Sequence, residues 1–189
     1  DQPEKVLLSL AAFAVFCLLS GSVYLINDVR DAEEDRKHRA KTTRPIAAGR
    51  LAPKTALAGA LLVTLISLLF AFVCDVKLGL VCAGYFILMG AYSLHLKRVV
   101  IVDVLVISFG FILRVLAGGV AIGVPVSEWL LICTFLVALF LALSKRRHEL
   151  VLLEGNASAH RSILSEYSAA LLDQMIAVVT SSTLMAYAL

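Results

Sequence analysis

Long apolar runs separated by short polar stretches set the pattern of this chain. Val6–Ile26 and Thr55–Cys74 hold no charge, nor does the shorter run Leu78–Leu94. Val99–Val124 holds two, Asp103 and Arg114. Trp129–Leu143 extends at both ends, and Ser168–Leu189 holds one charge, Asp173. A helix needs roughly 20 apolar residues to cross a bilayer. The pattern therefore predicts six spans, near 6–28, 54–74, 77–96, 99–123, 127–146 and 167–189. Strands do not fit, because the runs are too long and Leu and Ala dominate over alternation. The expectation is an all-α, polytopic transmembrane bundle forming one domain over 1–189, with connections at 29–53, 95–100 and 144–166.

Composition agrees. Of 189 residues, 60% are hydrophobic and 16% charged, with a mean hydropathy of +0.92. That excludes a disordered tail, a nucleic-acid-binding domain and an ordinary soluble enzyme, and it makes the lipid bilayer the first partner. A net charge of +3 creates no useful global field, so the placement of the 17 Lys and Arg residues matters more. The first connection, 29–54, carries eight of them, 95–98 carries two and 144–167 carries four. The opposite side has only Lys5 and Lys77. The positive-inside rule then puts the three basic connections in the cytosol. The outer turns are minimal, around Asp75-Val76-Lys77 and Pro125-Val126-Ser127-Glu128.

Asp1 is not an initiator Met and Leu189 ends inside an apolar run, so the sequence reads as part of a longer chain. The first run lacks the basic start and small-residue cleavage site of a signal peptide. Cys17, Cys74, Cys82 and Cys133 show no zinc-ligand spacing and read as small apolar fillers. Gly21 and Gly118-Gly119 read as positions of close helix packing, with passage of a lipid chain as the alternative. Asn156-Ala157-Ser158 matches a glycosylation sequon, but on a connection expected to be cytosolic it carries no weight.

The first connection carries the chemistry. If the first span continues as helix, Asp28, Asp31 and Asp35 fall on one stripe, within roughly 60°. Carboxylates gathered there suit Mg²⁺, which takes one or two of them plus water and substrate phosphate oxygens. Asn27 adds a neutral oxygen donor. Taken alone, the stripe is equally a solvated acidic helix end with Arg30, Arg36, Lys37 and Arg39 as partners. Its setting favours a Mg²⁺–diphosphate site: basic residues follow at once, then the turn Arg44-Pro45-Ile46-Ala47-Ala48-Gly49-Arg50.

These motifs resemble those of the UbiA superfamily of membrane prenyltransferases. Asn27-Asp28-x-x-Asp31-x-x-x-Asp35 is similar to its first acidic motif, Arg44-Pro45-Ile46-Ala47-x-Gly49 to its Arg-Pro turn, and Tyr92-Ser93-x-x-Leu96-Lys97-Arg98 to its motif at the second cytosolic connection. The resemblance implies a helical bundle, usually of nine spans, of which this chain would hold the second to the seventh. It also implies that Asn27, Asp28, Asp31 and Asp35 hold Mg²⁺, with the three aspartates catalytic.

Aromatic prenyltransferases of the superfamily carry a second Asp-rich motif at the third connection. Here Leu143-Ser144-Lys145-Arg146-Arg147-His148-Glu149 stands instead, and the nearest acids are Glu149, Glu154, Glu166 and Asp173. The site reads as anion-binding, which resembles the actinobacterial cell-wall branch of the superfamily. Ile101-Val102-Asp103, Phe109-Gly110-Phe111-Ile112-Leu113-Arg114 and Leu171-Leu172-Asp173-Gln174-Met175-Ile176 extend that likeness. The implied reaction moves 5-phosphoribose from phosphoribosyl diphosphate to a polyprenyl (decaprenyl) phosphate and releases diphosphate. Arg44, Tyr92, Lys97, Arg114, Lys145, Arg146 and Arg147 would contact the phosphates. An assembly of like subunits is compatible with this reading, and no nucleic acid is expected.

Several of these residues also have plain structural readings. Asp103 and Arg114 lie three turns apart, roughly 16 Å along the axis, so they cannot pair with each other. Each is a functional group or an interhelical partner. Asp173 is a cap, an interhelical bond or a substrate contact. Consecutive Lys145, Arg146 and Arg147 cannot all face one cavity, and Glu149 is placed to pair with Lys145 at i+4. The competing functions are an aromatic prenyltransferase and a transporter or channel using Asp103 and Arg114 as an ion path. The third connection speaks against the first, and the acidic stripe is unexplained by the second.

Overall fold

A computed structural model of the protein describes residues 3–37, 41–153 and 167–188. Among these there is no strand. The helices are α1 (Pro3–Arg30), α2 (Ala32–Lys37), α3 (Pro53–Cys74), α4 (Val76–Leu94), a 3₁₀ turn (Leu96–Arg98), α5 (Val102–Ala121), α6 (Glu128–Leu153) and α7 (Ala169–Ala188). Six of them, all but α2 and the 3₁₀ turn, are long and apolar enough to cross a membrane. Their outer faces carry large apolar side chains, such as Leu61, Leu65 and Leu69 on α3. A lipid environment tolerates such faces, and water does not.

The chain forms two compact units: 1–87 with 117–124, and 88–116 with 125–189. In the first, α1 packs along α3. The buried stripe of α3 is Ala56, Ala60, Thr64, Ser67 and Ala71, small residues that allow close approach. The Thr64 hydroxyl donates to Ser22 Oγ across the seam at 2.8 Å, and Ser22 donates on to the Leu19 carbonyl at 2.8 Å. Tyr85 of α4 closes over α1, edge-on to Phe16 at 5.2 Å with its hydroxyl 3.0 Å from Ser20. Asp75 alone separates α3 from α4, in extended backbone. Its Oδ1 accepts the Lys77 and Leu78 N–H groups at 2.6 and 3.1 Å, capping α4. The turn after α5 closes at Gly123, whose φ of +64° glycine adopts without steric cost.

In the second unit α6 packs along α7. Val104, Leu139, Ala142, Leu143, Leu172 and Val179 form its apolar core, with Tyr167 at one edge. α6 does not stop near 146 but runs through Lys145, Arg146 and Arg147 to Leu153. The i,i+3 pair Arg146–Glu149 and the apolar Leu150 and Val151 sustain it past the basic triplet.

Two expectations change. A Cβ added at Gly21 or Gly118 would meet nothing within 4 Å, so close packing does not account for either. The sequon at Asn156, the acids Glu154 and Glu166, and Arg39 lie outside the described residues.

Candidate active site

The acidic motif is built by a break that keeps helical register. α1 ends at Arg30, Asp31 turns, and α2 begins at Ala32. The i to i−4 bonds still cross the break: the Asp31 N–H donates to the Asn27 carbonyl at 2.9 Å and the Asp35 N–H to the Asp31 carbonyl at 2.8 Å. Asp28 and Asp35, two turns apart, therefore stay on one side.

The turn that follows brings a cation over them. The Ala48 N–H donates to the Arg44 carbonyl at 2.8 Å, and the Leu51 N–H to the Pro45 carbonyl at 3.1 Å. Gly49 takes the left-handed φ of +74° needed to close the turn. Ile46, only 2% exposed, plugs a small apolar pocket with Ala32 and Ala56, flanked by Val29 and Leu51. Arg36 Nε donates to the Ala47 carbonyl at 3.3 Å and ties the turn to α2. Arg44 Nη1 then lies 2.8 Å from Asp28 Oδ1 and 2.9 Å from Asp35 Oδ2. Lys41 Nζ is 3.7 Å from Asp35 Oδ1. Arg44 thus pairs with Asp28 and Asp35 and Lys41 with Asp35, whereas Arg36 Nε bonds a backbone carbonyl.

The donor set fits a divalent cation. Two carboxylate oxygens converge on a single positively charged nitrogen, and two carboxylates are what Mg²⁺ uses when phosphates and water complete its shell. Asp31 sits at the break itself, within electrostatic range of Asp28. Among the described residues, no group of three or more His, Cys, Asp or Glu side chains is arranged to hold a metal.

The second unit holds the other charged group, centred on Asp103. This side chain is 0% exposed, and Arg146 beside it is 3% exposed. Arg146 Nε donates to Asp103 Oδ2 at 2.8 Å and Arg146 Nη1 to Glu149 Oε2 at 2.8 Å. Tyr167 donates its hydroxyl to Asp103 Oδ1 at 2.7 Å and accepts the Ile101 N–H at 2.6 Å. Burial and the neighbouring carboxylate hold the Tyr167 hydroxyl protonated far above the usual phenol range. Ile101 has a φ of +68°, a strained conformation for a β-branched residue, and the Tyr167 bond helps fix it.

The network assigns several expected site residues. Glu149 pairs with Arg146 at i+3 and not with Lys145, because Arg146 occupies the buried face and Lys145 the exposed one. Asp103 is an interhelical partner with both oxygens bonded, so it offers no station for an ion path. Arg147 Nε meets Asp173 Oδ1 at 2.7 Å, an α6–α7 ion pair. Among the described residues Lys145 has no ion-pair partner. Arg114 is half-buried, its guanidinium carbon 5.1 Å from the Phe111 ring centroid. Tyr92 is half-buried and within electrostatic range of Arg146, and Lys97 is buried in the 3₁₀ turn. Sequence reasoning missed Tyr167 and Lys41. No local signal marks Tyr167, whose partners are more than 60 positions away.

Known proteins share this pattern. A model of the UbiA prenyltransferase family matches residues 1–188. The chain is 40% identical over 161 residues to a decaprenyl-phosphate phosphoribosyltransferase of Mycolicibacterium smegmatis, covering 85% of this chain and 51% of that one. It is 38% identical to one of Corynebacterium glutamicum (94% and 54% covered) and 36% identical to one of Mycobacterium tuberculosis (94% and 59%). The chain thus spans a little over half the length of these relatives. A UbiA homolog from Archaeoglobus fulgidus, bound to GPP and Mg²⁺, matches all of this chain and 66% of its own, with a TM-score of 0.82 at 18% identity, a likeness of fold.

Proposed function

The chain belongs to the UbiA prenyltransferase family, and from that premise we propose that it serves a membrane transferase moving 5-phosphoribose from phosphoribosyl diphosphate to a polyprenyl phosphate. The observation that carries the reading is the Asp28–Arg44–Asp35 bridge, in which two carboxylates and a guanidinium meet at one point; such a set supports binding of a metal–diphosphate. Relatives named decaprenyl-phosphate phosphoribosyltransferase support this choice of donor and acceptor. So does the third connection. There the sequence holds Lys145, Arg146 and Arg147 in place of a second Asp-rich motif.

A phosphate oxygen of the lipid attacks C1 of the ribose, the bond from C1 to the diphosphate oxygen breaks, and diphosphate leaves with the electron pair. When bound, a divalent cation such as Mg²⁺ would neutralise charge on that leaving group. Asp28 and Asp35 would hold it, and Arg44 and Lys41 would meet diphosphate oxygens through charge-assisted bonds. No protein base is required, because the lipid phosphate is already an anion. In the second unit, Lys145 is the exposed member of the basic triplet and has no ion-pair partner among the described residues, so it is the one of the three we assign to binding a phosphate. We place these connections on the cytosolic side, from the charge bias of the sequence.

The experiment is ligand protection. In detergent with Mg²⁺, phosphoribosyl diphosphate should raise the thermal transition of the protein more than geranyl diphosphate or 4-hydroxybenzoate does, as binding to the native state must. Protection by the prenyl donor alone would instead make it an aromatic prenyltransferase.

A further inference from the structure

Arg44 Nη1 occupies the point on which the Asp28 and Asp35 oxygens converge. A divalent cation held by both acids needs that same point. The side chain is 38% exposed and its anchor is elsewhere: Ile46 and the turn hydrogen bonds fix the backbone whether or not the guanidinium stays down. We infer that Arg44 is the resident counter-cation of the acid pair, which competes with a divalent cation for Asp28 and Asp35 and releases them when diphosphate offers its guanidinium another anion. The inference rests on reading the acid pair as a metal–diphosphate site.

The consequence is a site that selects for metal and diphosphate together. A cation arriving alone must displace Arg44 and leave it without its acids. A cation arriving with diphosphate gives the fork-shaped guanidinium a bidentate partner in exchange. The two ligands therefore help each other, and by linkage each strengthens the other equally. Without Arg44 the sign for the cation alone reverses, since a competitor and a repelling charge both go.

The test uses Mn²⁺ as the probe, with free Mn²⁺ read by electron paramagnetic resonance and the protein in zwitterionic nanodiscs. Wild type, Arg44→Ala and Arg44→Gln are compared, each checked for a cooperative thermal transition; the Gln variant serves if Ala perturbs the turn. Both variants should bind Mn²⁺ alone about 3- to 10-fold more tightly, a range set by the partial exposure of the pair. At saturating Mn²⁺ both should bind inorganic diphosphate at least about 10-fold more weakly. Unchanged or weaker Mn²⁺ binding in the folded variants overturns the competition. Tighter Mn²⁺ with unchanged diphosphate affinity overturns the exchange. Asp35→Asn separates the two levels: if it leaves Mn²⁺ binding unchanged, or if no variant binds Mn²⁺, the underlying metal reading fails and this inference with it.

Discussion

Replacing Asp103 with Leu tests the buried network most directly. The substitution removes the acceptor of both Arg146 Nε and the Tyr167 hydroxyl. With 0% and 3% exposure, neither Asp103 nor Arg146 can be rescued by water. Removing one partner of a buried pair leaves an uncompensated charge and costs about 3–5 kcal/mol. Glu149 remains bonded to Arg146 and is 30% exposed, which places the expected loss at the lower end of that range. The double variant Asp103→Leu with Arg146→Met removes both charges and fills the space with apolar atoms, and it should recover more than half of the loss. Glu149, freed at the half-exposed edge, can hydrate. The assay is reversible unfolding in mixed micelles, followed by circular dichroism and read as a double-mutant cycle. An Asp103→Leu protein as stable as wild type, or a double variant whose loss equals the sum of the singles, would refute the argument.

Three further outcomes are expected. The Tyr167 hydroxyl titrates higher in the folded than in the unfolded protein, so its contribution is fully present below the unfolded value, about pH 10, and declines as pH rises above it; pH-dependent unfolding of Tyr167→Phe should lack that decline. In a phosphoribosyl transfer assay, Lys145→Gln should lower kcat/KM by about 10-fold or more, the worth of one charge-assisted bond, while Arg146→Gln should chiefly lower the unfolding transition; wild-type kinetics in Lys145→Gln would remove that residue from the site. In a cysteine-free background in whole cells, an impermeant thiol reagent should label Ser127→Cys and spare Arg50→Cys, and the reverse pattern would invert the topology.

Much of the architecture is legible in the sequence because lipid imposes a simple demand, long apolar runs with few charges, that six segments meet. Helix ends are less legible. The basic triplet reads as a boundary, yet α6 continues because Glu149 supplies a partner one turn on. At the site, spacing brings Asp28 and Asp35 to one side, and the Arg-Pro turn is recognisable by composition. That Arg44 reaches both acids depends on Ile46 finding its pocket, a tertiary event that no local pattern announces. Asp103 had two open readings, and only the arrival of Tyr167 and Arg146 from distant segments decides between them. Asp31 matches the motif, and that the helix breaks at that residue while its register continues is not visible in the spacing.

Ala56 belongs to two surfaces at once. It opens the small-residue stripe of α3 and also forms part of the floor on which Ile46 rests. The seating of the Arg44 turn beside the acids thus depends in part on an uncharged methyl group. A lineage can retune the grip of the site by exchanging Ala56 for Gly or Ser while every chemical residue stays constant. Divergence in how the turn sits over Asp28 and Asp35 need leave no trace in the acidic motif, and its record would lie in the packing beneath the turn.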